Sequence, residues 1–371
     1  MRSVKSVVVP NRGSPESSAA GFGLVARACA VLRRSVMKNT PLPRVLAFSL
    51  VAAAAVPALR AEAWNVFFGT GGPGAKGIYR ASFDAATGKL GAAELAAEAG
   101  SPGFLALHPE GGRLYAAANV GGVQGAAAYR IGPGGALTLI NASPTGDGGA
   151  AHIAVHPSGK FAATAQYGGG SVAVFPLAAV GSLGAAKLLR HQGGSKVVDK
   201  RQDTPHPHYI GWSPDGRFAL VPDLGLDGIV IYRVNAAAGS LERHGIAASV
   251  PGGGPRHLKF SPDGKLLLTA SADRTARIWS IESGKEVRQM AGHDGLVQQA
   301  TFSRDGLSVA TASVDGTCRI YESATGDYLF TLRGHRNSVE SVAFAPNGKL
   351  IATGSRDRTL RIWDATCGIE L

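Results

Sequence analysis

An all-β ring of repeated four-stranded units is the fold class this sequence predicts, and three observations predict it. Turn signals of the His-Pro or Ser-Pro type recur at Pro109, Pro157, Pro214 and Pro262, spaced 48, 57 and 48 residues apart. From Ser261-Pro262-Asp263-Gly264 onward the period locks at 42: Phe260, Phe302 and Phe344 repeat at that distance, as do Asp273, Asp315 and Asp357, and Trp279, Tyr321 and Trp363. Short β-rich runs broken by Gly, Pro and Asp turns fill residues 64–371 without a sustained helical period. A four-stranded antiparallel unit cannot bury both faces alone, so such units pack face to face around an axis. The implied architecture is a single β-propeller of about seven four-stranded blades.

Residues 1–63 read as a leader. The apolar run at 45–59 is 15 residues long, short of the ~20 a spanning helix needs, and Ala61-Glu62-Ala63 follows it as a small-x-small cleavage site. The basic region before it has two readings: a start at Met37, or a twin-arginine signal around Arg33-Arg34. An exported, periplasmic or secreted protein whose mature part begins near Trp64 is expected, against the alternative of a cytosolic chain with an irregular tail.

The remaining units are expected at 64–100, 101–147, 148–204, 205–252, 253–291, 292–333 and 334–371. In the first, Asn65 to Gly69 runs straight into Gly77 to Phe83, which leaves no inner strand. The last ends soon after Trp363-Asp364, so incomplete closure between first and last blades is expected.

With 371 residues and 45% apolar side chains, the chain has ample material for a core. Its formal charge of +12 looks like a nucleic-acid signature but is unevenly placed. Nine Lys or Arg against Glu16 give residues 1–61 a charge of +8, leaving +4 for the rest. A solvated face, not a phosphate-binding stripe, follows, and no nucleic-acid partner is expected. Cys318 and Cys367 occupy non-equivalent positions of different repeats and permit a disulfide without implying one. A monomer without cofactor, metal or stable membrane span is expected.

Register singles out candidate site residues. His208 lies six residues before Pro214 and Arg256 six before Pro262, so both sit at the same position on successive inner strands, at one mouth of the central channel. Extending that register around the ring adds Gly103, Ala151, Gln298 and Glu340. His206 and His208 as a metal pair lack a visible third ligand. The runs Gly168–Gly170 and Gly252–Gly254 read as blade turns, because no helix follows them to cradle a phosphate.

Two resemblances divide the chain. Residues 64–262 carry Gly148-Gly149-Ala150-Ala151-His152, Gln166-Tyr167-Gly168-Gly169-Gly170, Pro205-His206-Pro207-His208, Pro222-Asp223-Leu224-Gly225 and Gly253-Gly254-Pro255-Arg256-His257. These runs resemble the propeller lactonases of the 6-phosphogluconolactonase and carboxymuconate-cyclase type. Residues 257–371 carry Gly292-His293, Gly334-His335, the three aspartates and Trp363-Asp364, and resemble WD-repeat blades of the same propeller. The second resemblance implies a structural hydrogen-bonded chain of His335, Thr353 or Ser355, Asp357 and Trp363, with His293 and Asp315 in the preceding blade. A catalytic triad there is not favoured, because these groups saturate one another.

The lactonase resemblance implies His208 as general acid or base and Arg256 as the cation that steadies an oxyanion, with His152, His206 and Glu340 contacting substrate. It also implies a carboxylate sixteen residues beyond Arg256 and a second arginine from a later blade. Those positions hold Ala272 and about Val314, so half of the expected site is absent unless Glu340 or Arg356 substitutes. Two functions therefore stand side by side: a hydrolase of a sugar lactone such as 6-phosphogluconolactone, and a non-catalytic propeller whose face binds a protein or peptide. In the second, His208 and Arg256 are relics held by strand geometry. A join between fragments of two genes is a third origin for the same sequence.

Overall fold

The computed structural model describes residues 5–10, 63–70, 76–84, 89–345 and 347–371. The apolar run at 45–59, Arg33-Arg34 and the start of the cleavage motif lie outside them. Seven antiparallel sheets follow one another along the chain, laid out in sequence order from an inner to an outer strand, the outer edge of the first being divided between Lys89–Leu90 and Glu94–Glu98, which both pair with Gly77–Asp84. They form a seven-bladed β-propeller. Blade 2 shows the pattern: Gly100–Leu107, Arg113–Val120, Val123–Ile131 and Leu137–Pro144. Blade 3 opens with His152–Val155, blade 4 with Gly211–Trp212, blade 5 with Pro255–Phe260, blade 6 with Val297–Phe302 and blade 7 with Val339–Phe344.

Burial follows each strand's place in its sheet. The second strand of blade 3, Phe161–Gln166, is buried along its whole length because other sheets cover both of its faces. Alanine dominates such strands, as in Ala116-Ala117-Ala118 and Ala162-Ala163, and its small side chain lets the sheets approach. Outer strands face water, as Glu286–Met290 does along most of its length. Every consecutive pair from blade 1 to blade 7 shares an apolar cluster; Phe161, Val172, Ile210, Val221 and Val230 join blades 3 and 4.

Hairpin turns at the base lock neighbouring blades. At Gly264 the chain takes φ 72°, and its N–H donates to Ser261 O at 2.9 Å while Ser261 Oγ bonds Asp263. Glycine alone adopts that conformation without strain. Between blades 2, 3 and 4 the tie is an imidazole: His108 Nε2 meets Gly159 O at 3.0 Å and His156 Nε2 meets Gly216 O at 2.9 Å. Pro214 and Pro262 instead pack against Gly264 and Gly306 of the next blade.

The two ends depart from the regular unit. Blade 1 does have an inner strand, contrary to the sequence expectation: Lys5–Pro10 pairs antiparallel with Ala63–Gly69, Lys5 opposite Gly69 and Pro10 opposite Trp64. A short segment far upstream thus fills the place that residues 64–100 leave empty, and no local pattern links the two in sequence. Blade 7 stops at three strands, Val339–Phe344, Leu350–Ser355 and Leu360–Asp364, with an isolated Trp363–Glu370 bridge where a fourth would begin. Cys318 is buried, Cys367 is exposed, and neither is bridged. No helix among the described residues is long and apolar enough to cross a membrane.

Candidate active site

A β-bulge sets the site. In blades 5, 6 and 7 the inner strand carries one extra residue between its first and second paired positions: Arg256 between Pro255 and His257, Gln298 between Val297 and Gln299, and Glu340 between Val339 and Ser341. The extra residue has no partner across the ladder, and the local bend re-aims its side chain. In blade 4 the same offset separates the Pro207–Asp223 bridge from the Gly211–Leu220 pair, and His208 lies within it. Gly103 lies in the corresponding irregular stretch of blade 2.

These positions converge. One cavity of about 590 Å³ is lined by Gly103, Ala151, His208, Arg256 and Glu340, together with Phe104, Tyr167 and Arg356. The sixth register position, Gln298, is buried beside it and reaches Glu340 Oε1 with Nε2 at 3.4 Å. Glycine and alanine on blades 2 and 3 leave the space, while blades 4, 5 and 7 supply its imidazole, guanidinium and carboxylate groups.

Charge in the cavity is uneven. Arg256 opens partly onto it, yet dense protein surrounds the guanidinium and Nε is buried without a hydrogen-bond partner. Burial pulls its pKa down to about 10, against the opposing pull of Glu340 and Tyr167, so it remains a cation at neutral pH. Glu340 is buried and well held: Arg356 Nε lies 2.6 Å from Oε1 and Ser338 Oγ donates to the same oxygen at 2.7 Å. The His208 ring stands edge-on to Tyr167 at 5.7 Å and tilts against His257 at 5.2 Å. An imidazole, an unpaired guanidinium and a carboxylate–guanidinium pair thus border one space, enough for proton transfer beside a developing negative charge.

His152 and His206, expected to contact substrate, lie one layer behind the wall. Ala151 takes the channel-facing position, so the next residue along, His152, points between the sheets and packs on Phe104 at 4.2 Å and Tyr209 at 4.0 Å. His206 donates its own N–H to Asp223 Oδ1 at 2.7 Å, and its ring stacks on Tyr167 at 4.6 Å with Nδ1 2.9 Å from Tyr167 O. Both support aromatic side chains that do line the cavity. No group of three or more His, Cys, Asp or Glu side chains among the described residues is placed to hold a metal ion.

The histidines of the later blades lie within the sheets. His335 Nδ1–H donates to Asp357 Oδ2 at 2.8 Å, Nε2 meets Thr353 Oγ1 at 2.8 Å, and Trp363 Nε1–H donates to that hydroxyl at 2.8 Å. Thr353 therefore fills the place left open between it and Ser355, whose hydroxyl bonds Asn337 O. His293, Asp315 and Thr311 repeat the arrangement in blade 6.

A third unit of this kind was not anticipated. His191 Nδ1 lies 2.6 Å from Asp223 Oδ2 and Nε2 lies 2.7 Å from Tyr232 Oη, with both His191 and Asp223 side chains closed to solvent. The long stretch between His191 and the inner strand of blade 4 changes the His-to-Asp spacing from 22 to 32 residues and hides the equivalence.

Comparison with known proteins agrees with the fold. Residues 65–351 match the family model for lactonase, 7-bladed beta-propeller. The chain is 34% identical over 194 residues to 6-phosphogluconolactonase of Bacillus subtilis, and 34% identical over 186 residues to 6-phosphogluconolactonase of Formosa agariphila. Those alignments cover 52% and 48% of this chain and 54% and 53% of the relatives, so the chain spans about half the length of the curated relatives it matches. The periplasmic gluconolactonase of Pseudomonas aeruginosa superposes with a TM-score of 0.73 at 25% identity, over 82% of this chain and 93% of that one. The chain belongs to the lactonase family of seven-bladed β-propellers.

Proposed function

We propose that the chain hydrolyses a sugar lactone at the channel mouth. The observation that carries this reading is that His208 and Arg256, on neighbouring blades, border one cavity with Glu340 and Arg356. His208 takes a proton from a water molecule that attacks the lactone carbonyl, and Arg256 steadies the oxyanion. The ring C–O bond then breaks, and the leaving ring oxygen takes the proton back as a hydroxyl, giving the open hydroxy acid. The names of the relatives point to gluconolactone and its 6-phosphate as first substrates.

Proton release from each lactone, measured with the purified chain, tests the reading. His208→Ala is expected to lower kcat by about 10²–10⁴-fold, and the His208→Ala/Arg256→Ala pair to fall little further because the two act as a unit. Unchanged hydrolysis in His208→Ala removes the assignment. No turnover by a folded chain turns the reading toward a scaffold that binds a protein or peptide on its face.

Two further readings accompany it. The His–Asp–Thr–Trp hydrogen bonds support assigning residues 257–371 to WD-repeat-type blades of the same ring. The basic and apolar leader, together with the periplasmic relative, supports export; N-terminal sequencing of the secreted product tests it.

A further inference from the structure

We infer that Arg201 forms an anion subsite behind the main cavity, built to take a phosphate or carboxylate group. The site lies in the long connection that joins the last strand of blade 3, Lys187–Arg190, to blade 4. That connection is folded on itself: Lys196 N–H donates to Gln202 O at 3.0 Å, Gln202 N–H to Val198 O at 3.0 Å, and Ser195 N–H ties it to Gly225 O at 2.8 Å. Arg201 is held at its bend, facing a second cavity of about 130 Å³ bordered by Val198, Leu224, Gly254 and Ala272. That volume suits one tetrahedral or planar anion and nothing larger.

The guanidinium has a position but no protein partner. Nε of Arg201 is buried without a hydrogen-bond partner, and no ion pair joins Arg201 among the described residues. The nearby carboxylate keeps its charge but directs its oxygens elsewhere: Asp227 accepts from Gln202 Nε2 at 2.5 Å, Gly252 N at 2.7 Å and Gly254 N at 2.8 Å, which leaves Arg201 Nε without an acceptor. Ala272 offers only a methyl group on the opposite wall. The side chain is half-buried, but a buried N–H donor without an acceptor costs stability, and an anion in the cavity removes that cost.

Arg256 adds a second cation. It follows Gly254 by two residues, so the strand that walls the small cavity carries Arg256 toward the large one. Arg201 is close enough to push the Arg256 guanidinium toward deprotonation. With Arg356 paired to Glu340, Arg201 and Arg256 remain as two guanidiniums without a direct ion pair in neighbouring cavities, balanced only at longer range by Asp227 and Glu340. A doubly charged group such as phosphate fits that pair better than a single carboxylate.

Calorimetric titration of the full chain with inorganic phosphate tests the subsite independently of any turnover. Binding is expected, with Kd rising at least tenfold in Arg201→Gln and by a smaller factor in Arg201→Lys, while circular dichroism and Tm report that both variants fold. Phosphate binding equal in Arg201→Gln and the unsubstituted chain, or no binding by the folded chain at millimolar phosphate, overturns the proposal. If the lactonase reading holds, a second arm identifies the source of the anion. A KM raised in Arg201→Gln for the 6-phosphorylated lactone alone marks the substrate's own phosphate, whereas equal change on both lactones marks a free ion.

Discussion

Arg356 Nε lies 2.6 Å from Glu340 Oε1, joining the turn after the second strand of blade 7 to the bulge of its first strand. Glu340 is buried while Arg356 is more than a third exposed, so the pair is asymmetric: the carboxylate depends on the guanidinium more than the reverse. Arg356→Ala is expected to lower stability by about 1–2 kcal/mol, between the values for exposed and buried pairs. Glu340→Gln keeps a neutral acceptor for Ser338 and is expected to cost less. Urea midpoints at constant m decide; an Arg356→Ala loss below that of Glu340→Gln would remove the asymmetry.

Thr353 Oγ1 accepts the indole N–H of Trp363 and meets Nε2 of His335, whose Nδ1–H donates to the Asp357 carboxylate. With a neutral imidazole the hydrogens run from Trp363 through Thr353 to His335. Thr353→Val preserves shape but strands two buried groups, and is expected to cost roughly 2–4 kcal/mol. Trp363→Phe leaves a single hydroxyl acceptor unused and so costs less through this bond. A Thr353→Val/Trp363→Phe double variant falling short of the sum of the singles is the expected signature of coupling.

Acid sensitivity follows from the same units. Burial alone would raise Asp357 and Asp315, but hydrogen bonds outweigh it: Thr359, the Arg336 N–H and His335 for Asp357, and His293 and Thr317 for Asp315. Both carboxyls are held well below the usual carboxylate range. Because the folded pKa lies below the unfolded value of about 4, the stabilisation is fully present above that pH and is lost as pH falls toward the folded values. Asp357→Asn is therefore expected to flatten the acid limb of a stability curve measured from pH 6 to pH 2. An unchanged limb would place acid sensitivity elsewhere.

The blades and the ring position of the site were legible in sequence because both follow a period. The 42-residue spacing of Phe260, Phe302 and Phe344 locates blades 5 to 7, and counting back from Pro214 and Pro262 finds the bulge residues His208 and Arg256 without showing that they are bulges. Alternation then explains why neighbours were misplaced: His152 follows a channel-facing residue and so turns inward. Features that depend on sequence-distant pairing were hidden. Lys5–Pro10 completes blade 1 from across more than fifty residues, and His191 and Arg201 both lie within an irregular connection that no period describes.

Asp223 links that hidden unit to the site. Its Oδ2 faces His191 Nδ1, while Oδ1 accepts N–H bonds from His206 at 2.7 Å, Gly225 at 3.0 Å and Leu226 at 3.1 Å. The first of these fixes the chain two residues before His208, whose own N–H reaches Pro222 O at 3.3 Å. In Asp223→Asn the amide can keep the three backbone donors on its oxygen, but its NH₂ then drives His191 to the other tautomer, so that Nε2–H faces Tyr232 Oη and the phenol proton loses its acceptor. The expected cost is about 3–5 kcal/mol, typical of breaking a buried pair, with a fall in lactone turnover at temperatures where the variant stays folded. Tyr232→Phe leaves Asp223 untouched and strands only His191 Nε2, so it is expected to lose roughly 1–3 kcal/mol with turnover unchanged. Equal turnover loss in the two variants would mean that His208 is positioned by the whole unit; loss confined to Asp223→Asn traces it to the carboxylate that grips the His206 backbone.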